Sequence, residues 1–306
     1  MATSASTTIS LDCVLEGLMR RYRRRVPDVD RVIRCMVAEG IVRSAEDIDN
    51  DHIAFRTMGV PYLGIRSLEK IFLHFGYARR DQFRFSEKKL NAYWYSPPLA
   101  RYPRVFISEL CVAELSDEAQ RIIHSYTDQV QTDPVDALDL NNGPVVDAFL
   151  HTPLWRTPTW EDYQRLIEES EYAAWVIYNR YYLNHFTVSV HHLPPGYNTI
   201  AQFNSFLKRH GFRLNDSGGE IKVSADGLLL QSSTVAEKVQ AEFQSEQEQT
   251  IARPIAGSYV EFAERRVLPQ FSHLQRHELS REHRRDGFEV ASADKIFEST
   301  YRTQTH

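Results

Sequence analysis

The sequence predicts an α+β fold in which two copies of one βαβββ module form a curved sheet around a pocket. Three observations carry that prediction. Asp51-His52-Ile53-Ala54-Phe55-Arg56-Thr57 returns in altered form as Asn184-His185-Phe186-Thr187-Val188-Ser189-Val190, and both stretches read as buried strands that open on a polar residue and a histidine. An amphipathic helix follows each, one ending in His74-Phe75-Gly76-Tyr77, the other in Arg209-His210-Gly211-Phe212. Short apolar runs separated by turn residues come after each helix.

The chain in order supports this plan. Leu11, Val14, Leu15, Leu18, Met19 and Tyr22, and then Val29, Val32, Ile33, Met36 and Val37, recur at helical spacing, so residues 1–50 read as a helical segment. Module one occupies 51–115. Its helix has Leu68, Ile71, Phe72 and Phe75 on one face and stops at Gly76, and Lys88 to Ser96 and Arg104 to Leu115 are strand candidates split by Pro97-Pro98. Residues 116–182 read as a helical insert in which Thr159-Trp160-Glu161-Asp162 has capping-box spacing, while Thr132 to Thr157, rich in Pro and Asn, reads as loop. Module two occupies 183–268, with Ile200, Phe203, Phe206 and Leu207 on its helix, strands at Glu220 to Ser224 and Leu228 to Ser232, and a last strand at Gly257 to Arg265. The segment 269–306 is charged and His-rich through Arg285, then apolar-punctuated, and is expected to pack back over the pocket; 51–306 would form one catalytic domain.

Composition limits what the fold can do. With 306 residues, 42% hydrophobic and 25% charged, the chain has the make-up of a soluble globular protein. A net charge of -5 and a pI near 6.2 argue against nucleic acid as partner. The run Arg20 to Arg25 is therefore expected to be a solvated helix face paired with acids. Anionic small molecules stay open, because one local arginine suffices for them. Cys13, Cys35 and Cys111 are odd in number and lack C-x-x-C spacing, which points to a reducing compartment rather than disulfides or structural zinc. Met1 to Ser10 is polar and no long uncharged apolar run occurs, so no membrane partner is expected. A cytoplasmic location is expected, with a plastid or other organelle left open.

In paired βαβββ modules, the vicinal-oxygen-chelate arrangement, the first and last strands of each module line the pocket. Those places hold His52 and Glu109 in module one, His185 and Glu261 in module two. Two imidazoles and one carboxylate are what a mononuclear Fe(II) oxygenase needs, and carboxylates within apolar strands are rare unless paired or metal-bound. Which glutamate ligates is not decided by chemistry; the other, with Glu109 the candidate, would leave its place to substrate or support a ligand from behind. His191 shares a face with His185 but lies about 20 Å further along a straight strand. Arg56 shares the face of His52 and Ala54, about 13 Å along the strand, where a guanidinium can grip the far carboxylate of a short diacid. A structural salt bridge is its alternative role.

The same stretches, with Glu169 to Trp175, Val223 to Ala236, Tyr259 to Arg265 and Arg284 to Ser299, resemble the 2-oxoadipate dioxygenase/decarboxylase family, or 2-hydroxyglutarate synthases, and most of all its shorter plant and algal members. The resemblance implies a vicinal-oxygen-chelate-like fold with Fe(2+) on His52, His185 and Glu261, and substrate held by Arg56. It also implies a pocket contribution from the C-terminal segment, where the Val-Ser pair of the longer bacterial members corresponds to Ala291-Ser292, with the Val replaced. The implied reaction converts 2-oxoadipate and dioxygen to 2-hydroxyglutarate and carbon dioxide, a step of lysine breakdown. A glyoxalase-like isomerase, an extradiol dioxygenase and a non-catalytic scaffold are the competing readings; a four-ligand set including Glu109 would favour the isomerase.

Overall fold

The computed structural model describes residues 5–245 and 249–305; residues 1–4 of the polar start, 246–248 and the final residue lie outside the described residues. Helices α1 (Ala5–Arg25) and α2 (Pro27–Ala38) lead into β1 (Asn50–Met58), α3 (Ile65–His74), β2 (Ala78–Phe85), β3 (Leu90–Ser96) and β4 (Arg104–Leu110). Helices α4 (Asp117–Thr127), α5 (Gly143–Phe149), α6 (Trp160–Glu169) and α7 (Glu171–Asn179) follow. The plan then repeats with β5 (His185–Ser189), α8 (Ile200–Arg209), β6 (Lys222–Val223) and β7 (Leu229–Ser233). A hairpin of β8 (Lys238–Gln244) and β9 (Thr250–Ala256) interrupts it before β10 (Tyr259–Arg265), and α9 (Val290–Phe297) comes near the end.

Eight strands form one sheet in the order β2-β3-β4-β1-β5-β10-β7-β6. At its centre β1 and β5 run antiparallel, while β4 lies parallel beside β1 and β10 parallel beside β5. The two βαβββ runs are thus related by a pseudo-two-fold between β1 and β5, as the repeat predicts. Three elements differ from expectation. Strand β2 exposes most of its residues at the sheet edge, so it lacks the alternation that marks a half-buried strand. The hairpin lies outside the sheet, and α5 falls inside the stretch read as loop.

The helices form because their apolar stripes have a sheet face to cover. Leu68, Ile71 and Phe72 of α3, and Ile200, Phe203, Phe206 and Leu207 of α8, are buried in the same cluster as the strand residues Ile53, Phe55 and Phe262. Gly76 and Gly211 follow these helices with φ of 85° and 75°, a conformation that glycine adopts without a Cβ penalty. Leu11, Val14, Leu18, Val29, Val32 and Met36 join that same cluster. Three of the five arginines of α1 pair with acids, Arg20 and Arg21 with Asp147 and Arg23 with Asp30, and Arg25 donates to the Asn179 amide oxygen.

On the opposite face of the sheet α9 touches β2, β6 and β7, strands from both ends of the sheet order, and so bridges the curl. Phe288 packs edge-on against the His52 ring at 4.8 Å, and Phe297 against Phe85 at 5.1 Å. Burying two such rings is worth roughly 1.5–3 kcal/mol each, enough to hold the segment down.

Candidate metal centre and pocket

Strand alternation decides which side chains meet. Along β1, His52, Ala54 and Arg56 face the α9 side, and the β4 residues opposite them are Arg104, Phe106 and Ser108. His185 and Thr187 of β5 face the same way, opposite Tyr259 and Glu261 of β10. The result is a group in which Nε2 of His52 and Nε2 of His185 stand 3.3 Å apart. Glu261 places Oε1 3.4 Å from the first and Oε2 3.1 Å from the second. All three residues are buried, and they form a ligand-competent cluster among the described residues.

Each histidine is oriented by the residue before it. Oδ1 of Asp51 lies 2.8 Å from Nδ1 of His52, and Oδ1 of Asn184 3.1 Å from Nδ1 of His185. An ionised carboxylate and an amide oxygen only accept, so both protons are assigned to Nδ1 and both Nε2 lone pairs face the cluster. Gln231 donates to Oε1 of Glu261 at 2.7 Å. The polar residue that opens each copy of the repeat is therefore the support that fixes the tautomer of the ligand beside it.

Asp51 is itself gripped from behind. Arg265 donates Nε and Nη2 to its two oxygens at 2.6 and 2.9 Å, and Arg104 adds Nη1 at 3.3 Å. Burial opposes ionisation of Asp51, but Arg265 and Arg104 overcome it and hold the carboxyl well below its usual range. Burial likewise pushes His185 down to about 3, a neutral imidazole. His52 is lowered by burial, yet Glu261 and Asp51 outweigh that and leave it above its ordinary value. Glu261 is opposed by burial and stabilised as the anion by both histidines.

This donor set fits a cation. Two imidazole lone pairs and a carboxylate converge, with the Thr187 hydroxyl, 3.1 Å from Nε2 of His52, as a nearby donor. That surplus of buried acceptors is costly without positive charge, and two nitrogens plus one carboxylate suit first-row divalent metals with positions left open.

Arg56 lies in the same pocket and is 1% exposed. Nη1 donates to Thr300 Oγ1 and Nη2 to the Phe297 carbonyl, both at 3.0 Å, and Nε has no protein partner. The rings of Tyr172 and Trp175 lie 5.2 Å from the guanidinium carbon. Among the described residues no carboxylate stands within salt-bridge distance of Arg56, so the structural salt bridge considered for it is absent. Further polar atoms without protein partners lie around the pocket: Nδ2 of Asn184, Oε1 of Gln231 and the Tyr259 hydroxyl.

Two expected site residues fall elsewhere. Glu109 pairs with Thr57 and lies on the helix-covered face, where Oε2 accepts from the Ile65 amide that begins α3 at 2.9 Å. Counting from the partner of each histidine shows why: two residues past Tyr259 is Glu261, but two past Arg104 is Phe106. The counterpart of Glu109 is Glu264, which accepts from the Ile200 amide that begins α8 at 2.8 Å. Ala291 is exposed, because the helical turn points it away; Ala293, Ile296 and Phe297 line the pocket instead. Ser292 is buried, and its hydroxyl lacks a protein partner. Sequence reasoning missed Gln231, Tyr259, Arg104 and Arg265. The face parity of β7 and β10 would have flagged Gln231, Tyr259 and Arg265.

Comparison with known proteins places this geometry. The family model described as 2-oxoadipate dioxygenase/decarboxylase matches residues 14–277. A rice protein named 2-oxoadipate dioxygenase/decarboxylase, chloroplastic/amyloplastic, is 42% identical over 99% of this chain and 85% of its own length. An Arabidopsis thaliana protein of the corresponding chloroplastic name is 43% identical over 86% of this chain and 72% of its own. The crystal structure of rice hydroxyglutarate synthase in complex with 2-oxoadipate superposes with a TM-score of 0.87 at 41% identity, covering 99% of this chain and 96% of that one. A glyoxalase superfamily protein from Ralstonia eutropha, 20% identical, shares the fold with a TM-score of 0.69 over 89% of this chain and 83% of that one. On the family match and the near full-length identity to the plant proteins, the chain belongs to the 2-oxoadipate dioxygenase/decarboxylase family.

Proposed function

We propose that this chain converts 2-oxoadipate and dioxygen to 2-hydroxyglutarate and carbon dioxide, with Fe(2+) held by His52, His185 and Glu261. The observation that carries this reading is the pairing, in one pocket, of a buried His-His-Glu cluster with a buried guanidinium that has no carboxylate partner. An unpaired buried cation is costly, and a substrate carboxylate relieves that cost with two charge-assisted hydrogen bonds. A diacid whose 2-oxo end meets the cluster presents its other carboxylate to Arg56.

Iron, when bound, supplies dioxygen activation and polarises the 2-oxo acid. The protein's part is orientation and exclusion of water. Arg56 binds the far carboxylate, Asp51 and Asn184 hold the imidazoles by their Nδ1 protons, and Gln231 fixes Glu261. Phe288, Ile296 and Phe297 wall the pocket from solvent. Ser292, buried with a hydroxyl that no protein group meets, would add a polar atom behind the residues that line the pocket, while Thr300 already supplies a C-terminal hydroxyl to Arg56. The isomerase alternative drew on Glu109 as a fourth ligand, and Glu109 stands on the other face. The names of both plant relatives put those proteins in plastids, which favours a plastid over the cytoplasm for this chain. No helix among the described residues is long and apolar enough to cross a membrane.

The test is oxygen uptake by Fe(II)-reconstituted protein with 2-oxoadipate, 2-oxoglutarate, a catechol and the methylglyoxal-glutathione adduct. Uptake with 2-oxoadipate and product 2-hydroxyglutarate is expected; silence with every 2-oxo acid refutes the proposal. Arg56→Ala should raise KM for 2-oxoadipate at least tenfold and leave iron content unchanged, whereas His185→Ala should lose iron. Equal iron loss in the two variants contradicts the assigned roles.

A further inference from the structure

Behind Asp51, on the side away from the imidazole it holds, lies a second cavity of about 50 Å³. Arg104, Arg265, Arg281 and Arg284 line it against Asp49 and Asp51. The acids are already engaged: Asp51 by the Arg265 fork, Asp49 by Nδ1 of His192 at 2.8 Å. Arg104 also pairs with Asp286 through Nε, but its Nη2 has no protein partner, although Arg104 is 2% exposed. Arg281 gives Nη1 to the carbonyls of Ala100 and Tyr102 and likewise leaves a buried Nη2 without a partner. Two guanidinium edges are thus buried at one cavity with no acceptor of their own.

A third donor stands beside them. The Arg265 amide lies 3.2 Å from Nδ1 of His191, and the Ala263 carbonyl 3.4 Å from the same nitrogen. An amide only donates and is the nearer of the two, so Nδ1 accepts and the proton sits on Nε2. Burial pushes His191 down to about 3, so it is a neutral donor rather than a further cation. Burial also lowers Arg104, to about 10, with Arg265 adding to the effect, as expected where cations outnumber the anions facing them.

We infer that this cavity is a binding site for a small oxyanion, a carboxylate or phosphate group, gripped by the free edges of Arg104 and Arg281. Such a group offers the several acceptor oxygens that two guanidinium forks match. About 50 Å³ exceeds the roughly 10–15 Å³ that one water needs, and it does not admit a nucleotide. The site is distinct from the Arg56 pocket: Asp51 separates them, accepting from Arg104 and Arg265 on one side and from His52 on the other. An anion here therefore shares Arg104 with the carboxylate that orients His52.

The test measures the melting midpoint of the full chain in phosphate, acetate and chloride series at matched ionic strength. A saturating rise with phosphate or acetate, absent in chloride and lost in Arg281→Gln, is expected; which of the two anions acts identifies the class. A rise of the same size in chloride, or one that survives in Arg281→Gln, overturns the inference. Crystals soaked in selenate, or in acetate where acetate alone raises the midpoint, give a readout on the unmodified chain, where density for the anion between Arg104 and Arg281 supports the site and its absence overturns it.

Discussion

At the scale of single residues, the two halves hold their histidines by unequal means. His185 leans on a neutral amide, His52 on a carboxylate locked to two arginines. Breaking a buried ion network leaves uncompensated charge and costs roughly 3–5 kcal/mol, while losing the orienting partner of a metal-bound imidazole typically costs about 10–100-fold in metal affinity. Asp51→Asn should therefore lower both folding stability and Fe(II) affinity, and Asn184→Ala should lower Fe(II) affinity with a much smaller loss of stability. Urea unfolding of metal-free protein beside Fe(II) titration separates the two, and an Asp51→Asn protein as stable as the parent would contradict the network. The convergence of His52 and His185 is legible in the sequence because it repeats. The choice of Glu261 over Glu109 is not, because Glu261 has Phe106 as its counterpart in the first run and only the register shows which face each glutamate takes. Nor is the network behind the cluster, because nothing in the spacing of Arg104, Arg265 and Asp51 shows that three charges from β1, β4 and β10 are buried together.

At the scale of elements, the pseudo-symmetry explains a role the sequence left open. Helix α3 begins after Gly64, which has no side chain to cap it and a φ of 82°. Glu109 takes that duty, and a Cβ on Gly64 would lie 2.7 Å from its Oε2. Glu264 likewise accepts from the first amide of α8, beside the Thr199 hydroxyl that caps that helix at Gln202. A carboxylate at a helix N-terminus satisfies an orphan amide and meets the helix dipole, so Glu109→Ala and Glu264→Ala should each lose roughly 1–3 kcal/mol and keep full iron content. Metal analysis of Glu109→Ala showing lost iron would return it to the site. Helix α2 gives a pH dependence. Burial raises Asp28 to about 6, Glu237 adds to this and Arg31 opposes it. Since the folded pKa exceeds the ordinary carboxyl value of 3.8, folding favours the protonated form. That stability is present below about pH 4 and lost as pH rises to about 6. Asp28→Asn should therefore gain more in melting midpoint over the parent at pH 7 than at pH 4, and equal differences would refute it. The strands missed in the sequence differ in cause: β2 and β9 expose most of their residues, so no buried face imposes a period of two, whereas β8 does alternate, with Ala241 and Phe243 buried, and pairs only with β9 outside the main sheet.

At the scale of the whole molecule, the centre belongs to neither half alone. His52 comes from the first βαβββ run, His185 and Glu261 from the second, and the Asp51–Arg265 pair crosses the same boundary. Antiparallel pairing of β1 with β5 joins the halves through the backbone, and α9 spans both ends of the sheet. Neither half can therefore lose its packing without exposing β1 or β5 and stripping the cluster of a ligand. That coupling predicts one cooperative unfolding transition whose midpoint rises with metal, by about 2.7 kcal/mol of stability at a free metal concentration about 100 times Kd. Anaerobic calorimetry of chelator-treated and Fe(II)-loaded protein should show a single peak that moves as a whole. Two peaks, of which only one responds to metal, would mean that the halves fold apart and that the ligands meet only after each is formed.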